Sequence, residues 1–143
     1  MIVREVSAQE TYSVRKEVLR INLPLPEAME GDSEKFTFHL GMFLNKELIG
    51  VATFMKNENS SFNGVQYQLR GMATCRNYQH MGVGKKLLFK GLAILKKRNV
   101  EVLWCNTRVT AFSFYEKLGF TNVGEEFDIH LVGPHFVMFK KLI

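Results

Sequence analysis

The spacing of apolar positions changes several times along the 143-residue chain, and each change predicts a different element. Segments in which apolar residues alternate with polar ones, or follow one another over a short run, predict strands. These segments are 2–6, 36–44, 48–55, 65–74, 100–105, 120–129 and 136–142. Segment 120–129 contains one or two strand pieces.

The first predicted helix follows a capping box. Ser7 and Glu10, three residues apart, can each bond the other's backbone N–H group, so a helix begins after Ser7 and ends near Leu19. Its inward-facing candidates are Ala8, Val14 and Val18.

Two further helices are predicted in the second half of the chain. One begins at Gly82, and its apolar stripe follows a period of 3.6 through Gly84, Leu87, Leu88, Gly91, Leu92 and Leu95. Two glycines within this stripe indicate a helix that packs very close to the sheet. A short helix follows, with Thr110 as its N-cap and Gly119 as its C-cap.

The order of elements, β-α-β-β-β-α-β-α-β-β, predicts one α/β domain over residues 1–143, with helices flanking a mixed sheet of six or seven strands. Strands 36–44 and 48–55 form an antiparallel hairpin. The strand–helix–strand unit over 65–105 should be parallel and right-handed.

Composition narrows the class of protein. Hydrophobic residues make up 46% of the chain and charged residues 23%, as in ordinary soluble proteins. No apolar run is long enough to span a bilayer, and residues 1–5 do not resemble a signal peptide. Cys75 and Cys105 lack metal-type spacing, so we expect reduced thiols in a cytoplasmic protein without a metal. The net charge of +5 is compatible with nucleic acid as a partner. However, the sequence lacks the interleaved aromatic residues and the dispersed basic face that such binding usually shows, so we expect no nucleic-acid partner.

Strand 65–74 leads into a glycine-bearing turn, Gln79-x-x-Gly82-x-Gly84, and then into a basic helix. The first backbone N–H groups of a helix are unpaired and its dipole is positive there, so this turn is suited to a pyrophosphate. Taken alone, the turn also fits an ordinary loop. Lys85, Lys86 and Lys90 lie at the wrong end of the helix to be explained by its dipole.

Gly71 lies inside the strand before this turn, where a glycine often marks a bulge. Simple alternation along the strand assigns residues to two faces. One face takes Val65, Tyr67, Leu69, Gly71 and Ala73, and the other takes Gln66, Gln68, Arg70 and Met72.

Tyr115 is on the inward face of the short helix that follows the strand ending at Cys105. A tyrosine in this position is commonly a core residue. However, the carboxyl ends of neighbouring parallel strands form one crevice, and Tyr115 can reach the space between the strands that end near Thr74 and Cys105.

The turn over 79–84, followed by Lys85-Lys86-Leu87-Leu88 and later by the segment 114–120, resembles the GNAT superfamily of N-acetyltransferases, and the strand order fits that fold over the whole chain. Asn106-Thr107-Arg108 and Pro134-His135 are similar to segments of a branch of small bacterial members. Many relatives carry Asn where Arg108 stands.

The resemblance implies an acyltransferase that moves the acetyl group of acetyl-CoA to a primary amine of a small molecule or peptide, by direct attack. Tyr115 would be the general acid toward the CoA thiolate, and a non-catalytic acyl-CoA-binding module is the alternative. The implied CoA-binding residues are Met72, Ala73, Thr74, Gln79, His80, Met81, Gly82, Val83, Gly84, Lys85, Lys86, Asn106, Phe114 and Tyr115. Lys85, Lys86 or Lys90 would meet the 3′-phosphate.

The acceptor and the general base stay open. Candidate acceptor-binding residues are Glu27, His39, Arg70, Arg108 and His135. The base could be His39, His135, Glu27, Asp32 or a water chain. The acidic segment 27–34 indicates a cationic acceptor such as a polyamine or aminoglycoside, whereas Arg70 and Arg108 indicate an anionic group. Family members often form dimers, so a homodimer is also an expectation.

Overall fold

The computed structural model describes residues 1–143 and confirms the predicted α/β class and order of elements. The elements are β1 (Ile2–Val6), α1 (Ala8–Val18), β2 (Phe38–Leu44), β3 (Glu47–Lys56), β4 (Gln66–Thr74), α2 (Val83–Lys97), β5 (Val102–Arg108), α3 (Phe112–Lys117), β6 (Thr121–Ile129) and β7 (Gly133–Lys141). Segment 120–129 therefore holds one strand. The last strand begins at Gly133 rather than Phe136, because Gly133–His135 pair with Phe127–Ile129 of β6.

The seven strands form one sheet in the order β1-β2-β3-β4-β5-β7-β6. Only β4 and β5 are parallel, and every other neighbouring pair is antiparallel, so the sheet is mixed as predicted. Helix α1 packs on one face, and α2 packs on the other against β3 and β2. None of the helices has the length and apolarity needed to cross a membrane.

A bulge interrupts β4. Val51 of β3 pairs with Ala73 and Thr53 pairs with Arg70, so Gly71 and Met72 together oppose Ala52. Gly71 has a φ of 59°, a conformation in which a side chain would be strained.

The bulge also corrects the predicted faces of β4. Leu69 belongs to the core under α2, and Met72 packs against that same core. Ala73 instead joins Val14 and Val51 under α1. Simple alternation therefore fails beyond Arg70, because the extra residue in the strand reverses the direction of the side chains that follow.

The core on the α2 face follows the predicted stripe. Leu87, Leu88 and Leu95 are fully buried there. Gly91 lies directly over the ring of Phe54, and a Cβ atom at this position would overlap that ring. Close approach of α2 to the sheet thus requires the glycine.

The α1 face is held by a buried ion pair rather than by apolar contacts alone. Val14 is buried as predicted, but Ala8 and Val18 are only half-buried, and Arg15 is fully buried beside them. Arg15 donates two hydrogen bonds to the Asp32 carboxylate, at 2.8 and 3.0 Å, and one to Thr53 Oγ1 at 2.8 Å. These bonds and the counter-charge of Asp32 stabilise the buried guanidinium group, although its Nε atom has no hydrogen-bond partner.

Asp32 is the anionic half of this pair. Burial raises the pKa of Asp32, but hydrogen bonds from Arg15 and from the Met29 backbone, together with the charge of Arg15, outweigh that effect and lower it overall. The carboxylate therefore stabilises the fold at neutral pH and loses that contribution in acid.

We expect Asp32→Asn to lower the free energy of unfolding at neutral pH by about 3–5 kcal/mol, because it leaves the Arg15 charge buried without a counter-charge. The pKa of Asp32 is lower in the folded state, so its contribution is present above the unfolded value of about 4 and is lost as the pH falls through the folded value. Urea unfolding at neutral pH measures the loss of stability, and urea unfolding over the acid range measures its pH dependence. Glu34→Gln, at an exposed site on the same loop, is the control. Equal stability of Asp32→Asn and wild type at neutral pH would contradict the assignment.

Candidate active site

The two parallel strands in the middle of the sheet pair over a short distance only. Gln66–Gln68 of β4 pair with Val102–Trp104 of β5, and beyond these residues the strands separate. The β5-facing edge of β4 is then free of strand partners. A cavity of about 530 Å³ occupies the gap, lined by 20 residues.

Residues from both faces of the sheet line the cavity. On the α2 face it is lined by Met72 and Tyr115, both packed with the α2-side core. Alternation along β4 directs Arg70 to the other face, because the preceding Leu69 is in the α2-side core. A ligand can therefore approach the gap from two sides.

Tyr115 lies across the gap from the β4 bulge. The side chain is buried, and the hydroxyl donates a hydrogen bond to Met72 Sδ at 3.7 Å. The Phe114 and Phe120 rings pack edge-on against the Tyr115 ring at 5.0 and 5.3 Å and fix its orientation. Burial, assisted by the neighbouring Cys105, raises the pKa of Tyr115 well above 10, so the phenol stays protonated at physiological pH.

The glycine turn has the geometry of an anion site. His80 and Gly82 both have positive φ, at 66° and 79°. The backbone N–H groups of His80, Met81 and Gly82 bond no other group of the protein, and no side chain caps the start of α2. Together with the free N–H groups of the first helical turn, they form a cluster of donors at the positive end of the helix dipole.

The turn is joined to both the strand and the tyrosine helix. Gln79 Nε2 donates to the Thr74 carbonyl at 3.1 Å. Gly84 faces Phe114 and Met72, and a Cβ atom there would lie 3.3 Å from the Phe114 ring. Lys85, Lys86 and Lys90 are exposed just behind the turn. The predicted nucleotide side of the site is thus contiguous with the gap.

Four of the predicted CoA-binding residues line the cavity itself: Met72, Gln79, Asn106 and Tyr115. The side chain of Ala73 is directed to the α1 face, so only its backbone can face the gap.

Three of the predicted acceptor residues also line the cavity: Arg70, Arg108 and His135. His39 does not, because its ring nitrogens contact Thr53 Oγ1 at 2.7 Å and the Asp32 carbonyl at 3.1 Å in the network under α1. Glu27 also lies outside it and contributes a carbonyl oxygen to Arg15.

His135 is the remaining histidine of that set and is buried at the end of the gap near Arg108, its partner across β5 and β7. Its Nδ1 atom lies 2.7 Å from the Gly133 carbonyl oxygen, which can only accept. Nδ1 therefore carries a proton, so Nε2 is the nitrogen that can accept a proton or a hydrogen bond. The arrangement leaves one acceptor nitrogen for chemistry in the cavity.

Arg20 lines the cavity as well, although sequence analysis did not single it out. It follows the end of α1, where a cation is explained by the helix dipole alone, so nothing in the local pattern marks it. The pKa of Arg20 is lowered, first by burial and then by the positive charges of Arg108, Arg70 and Arg15.

The two cysteines are poor nucleophiles in this structure. Burial raises the pKa of Cys105 to about 12. Burial and the nearby Glu17 raise the pKa of Cys75 to about 11. Since the thiolate is the reactive form, neither residue is suited to an acyl-enzyme reaction.

Comparisons with known proteins agree with this geometry. A model of the acetyltransferase (GNAT) family matches residues 4–120. The chain is 34% identical over 142 residues to the uncharacterized N-acetyltransferase YitI of Bacillus subtilis (strain 168), covering 98% of this chain and 95% of that protein. Escherichia coli ElaA superposes with a TM-score of 0.83 at 17% identity, covering 98% of this chain and 99% of its own. An aminoglycoside 6′-N-acetyltransferase complexed with coenzyme A gives a TM-score of 0.74 at 15% identity, covering 100% and 98%.

The two solved structures share the fold with this chain, and the family model covers most of its length. The resemblance drawn from the glycine turn and the tyrosine helix is thereby confirmed. The chain belongs to the GNAT family of N-acetyltransferases.

Proposed function

We propose that this protein transfers the acetyl group of acetyl-CoA to a primary amine of a small molecule or peptide. The observation that carries the proposal is the gap between β4 and β5, which joins an anion site on one face of the sheet to a buried tyrosine hydroxyl. A gap open on both faces lets two substrates meet within it.

The donor side of the gap suits coenzyme A. The pyrophosphate would bind the N–H groups of the turn from His80 to Lys85, and the lysines behind it would contact the 3′-phosphate. The pantetheine arm would run along the free edge of β4 and pair with backbone groups of Met72–Thr74, as an added strand does. Binding of coenzyme A by a structural neighbour supports this assignment.

The reaction needs stabilisation of an oxyanion and protonation of a sulfur. As the amine nitrogen bonds the acetyl carbon, negative charge develops on the thioester oxygen, and backbone N–H groups near Met72 would stabilise it. When the carbon–sulfur bond breaks, the hydroxyl of Tyr115 would donate to the departing sulfur. Donation of this kind typically contributes a factor of about 10²–10⁴ to a rate.

The high pKa of Tyr115 defines what the hydroxyl can do. A phenol of ordinary pKa, about 10, is close in acidity to a thiol of about 8.5. Because burial raises the pKa of Tyr115 further, the resting enzyme holds the proton, and the hydroxyl acts first as a hydrogen-bond donor to the thiolate. The amine proton needs an acceptor, and Nε2 of His135 is the free imidazole nitrogen in the gap.

We expect Tyr115→Phe to lower kcat by about 10²-fold or more while the affinity for acetyl-CoA stays within about twofold, since only the donor to the sulfur is removed. Steady-state kinetics with an amine panel and calorimetric titration of acetyl-CoA measure the two quantities.

The matched control is Tyr67→Phe. Tyr67 is also buried on the α2 side, but its hydroxyl bonds the Phe36 carbonyl and Arg98. That variant should lose about 1 kcal/mol of stability and keep its kcat. Tight binding of CoA without turnover on any amine would replace the enzymatic function with that of an acyl-CoA-binding module.

We expect the double variant Lys85→Gln/Lys86→Gln to bind CoA about tenfold more weakly than wild type, because it removes charge-assisted contacts to phosphate. Dephospho-CoA, which lacks the 3′-phosphate, should bind both proteins almost equally well. Lys96→Gln/Lys97→Gln, at the other end of α2, is the control. If the double variant discriminates between CoA and dephospho-CoA as strongly as wild type does, the lysines do not contact the 3′-phosphate.

A further inference from the structure

Three arginines from different elements meet at the α1-side mouth of the cavity. Arg20 follows α1, Arg70 is on β4 and Arg108 ends β5. Each is only partly exposed. No aspartate or glutamate is among the 20 residues that line the cavity. We call these three residues the arginine trio.

The arginine trio has no carboxylate partner. Arg20 donates to the carbonyl oxygens of Pro26 and Leu19, at 3.2 and 3.5 Å, and Arg70 donates to that of Glu30 at 3.4 Å. The side chain of Arg108 makes no hydrogen bond within the protein, and no member of the trio forms a salt bridge. Their guanidinium groups therefore keep unused donors.

Arg15, which is paired with a carboxylate, shows what a structural arginine looks like in this protein. Arg15 binds both oxygens of Asp32 and is fully buried. Both oxygens of Asp32 are thus bonded to Arg15, and Asp32 acts on Arg70 only through its charge. Asp32 does not line the cavity, where a cationic acceptor would bind. Glu30 is exposed and lies outside the cavity lining, and its negative charge raises the pKa of Arg70.

Burial and neighbouring positive charges destabilise the cationic form of two members of the trio. The pKa of Arg20 is lowered by burial and then by Arg108, Arg70 and Arg15. The pKa of Arg70 is lowered by burial and then by Arg15, and the charges of Asp32 and Glu30 offset only part of this effect. Like charges held together in a partly desolvated site are unfavourable unless an anion joins them. Guanidinium groups bind carboxylate and phosphate in a bidentate manner, so either anion would relieve the repulsion.

The trio lies on the side of the gap that the donor would leave to the acceptor. The anion site of the glycine turn is at the start of α2, and α2 packs on the face of the sheet opposite to α1. If the donor enters from the α2 face, the α1-side mouth is left for the acceptor. Met29, Ile129 and Val132 line the same cavity and offer apolar contacts beside the guanidinium groups.

We propose that the arginine trio binds the anionic group of the acceptor, so that the acceptor is a primary amine that also carries a carboxylate or a phosphate. This inference rests on the proposed acetyl transfer and narrows its substrate class. It replaces the cationic acceptor suggested by the acidic segment 27–34, because that segment contributes only the Met29 side of the cavity wall and no carboxylate.

The test uses pairs of amines that differ only in the anionic group. β-Alanine and its amide form the carboxylate arm, and 2-aminoethyl phosphate and ethanolamine form the phosphate arm. Spermidine represents a cationic acceptor. We expect kcat/KM to favour the anionic member of at least one pair by roughly 10- to 100-fold, the size of effect of a charge-assisted hydrogen bond.

Variants of the trio then test whether the preference for an anionic amine depends on these arginines. Arg108→Gln should raise KM for the anionic amine by roughly 10- to 100-fold and leave the affinity for CoA and the KM for the neutral amine nearly unchanged. Arg108→Lys should retain part of the preference, because it keeps the charge but not the bidentate geometry. Arg20→Gln should act in the same direction as Arg108→Gln. Arg4→Gln, an exposed arginine on β1, is the charge-matched control.

A readout without turnover separates this inference from the proposed function. In the absence of acceptor, Arg108→Gln should not lower the melting temperature, because it removes repulsion; a clear drop would indicate a structural role and overturn the inference. Equal or better use of neutral amines or spermidine would overturn the anion site while leaving acetyl transfer intact.

If no amine is acetylated, the proposed function fails, and thermal shifts of the CoA-saturated protein with β-alanine and 2-aminoethyl phosphate decide the anion site. A shift that Arg108→Gln abolishes supports it, and no arginine-dependent shift overturns it.

Discussion

The separation of β4 from β5 beyond Gln68 and Trp104 is the constraint on which the site depends. Parallel strands normally continue to pair, because each unpaired backbone group loses a hydrogen bond. Here the pairing ends after three residue pairs, and a bulge at Gly71 and Met72 bends β4. The free strand edge is thus available to a ligand that can supply the missing hydrogen bonds.

The buried ion pair between Arg15 and Asp32, under α1, lies next to this bend. A Cβ atom at Gly71 would lie 3.1 Å from Arg15 Nε, so the bare glycine leaves room for the guanidinium group. Arg15 in turn connects α1 to Asp32 and to Thr53 of β3. The loop that precedes β2 is therefore held with α1 and β3 by one network, and His39 completes it through Thr53. The ion pair and the glycine together give the mouth of the cavity its shape on this face.

Positive charge surrounds the gap on both faces, but its origin differs between them. On the α2 face it comes from backbone N–H groups and the helix dipole, and on the α1 face it comes from the arginine trio. The trio would bind the anionic group of the acceptor, and Nε2 of His135 would accept the proton that the amine releases, directly or through water.

Local periodicity predicted the order of the elements, the stripe of α2 and the turn at its start, because these depend on residues close together in the chain. It failed at several positions, including the N-cap of α3, which is Ala111 rather than Thr110. The faces of Met72 and Ala73 were reversed by a bulge whose length local alternation does not reveal. The start of β7 was placed three residues late, because pairing with β6 extends the strand through Pro134. Arg15 was missed as a buried residue, because its partner Asp32 is 17 residues away in a loop.

For the site, the amino-acid sequence by itself determined the family, the anion turn and the tyrosine, since each is a compact motif whose chemistry follows from neighbouring residues. The tertiary structure decided which charged and basic side chains reach the gap. It placed His135 and the arginine trio there and kept His39, Asp32 and Glu27 away. Arg20, Arg70 and Arg108 come from three separate elements, and only packing of α1 against a bulged strand brings them together. Such a cluster has no signature in local sequence, because its members are neighbours in space and not along the chain.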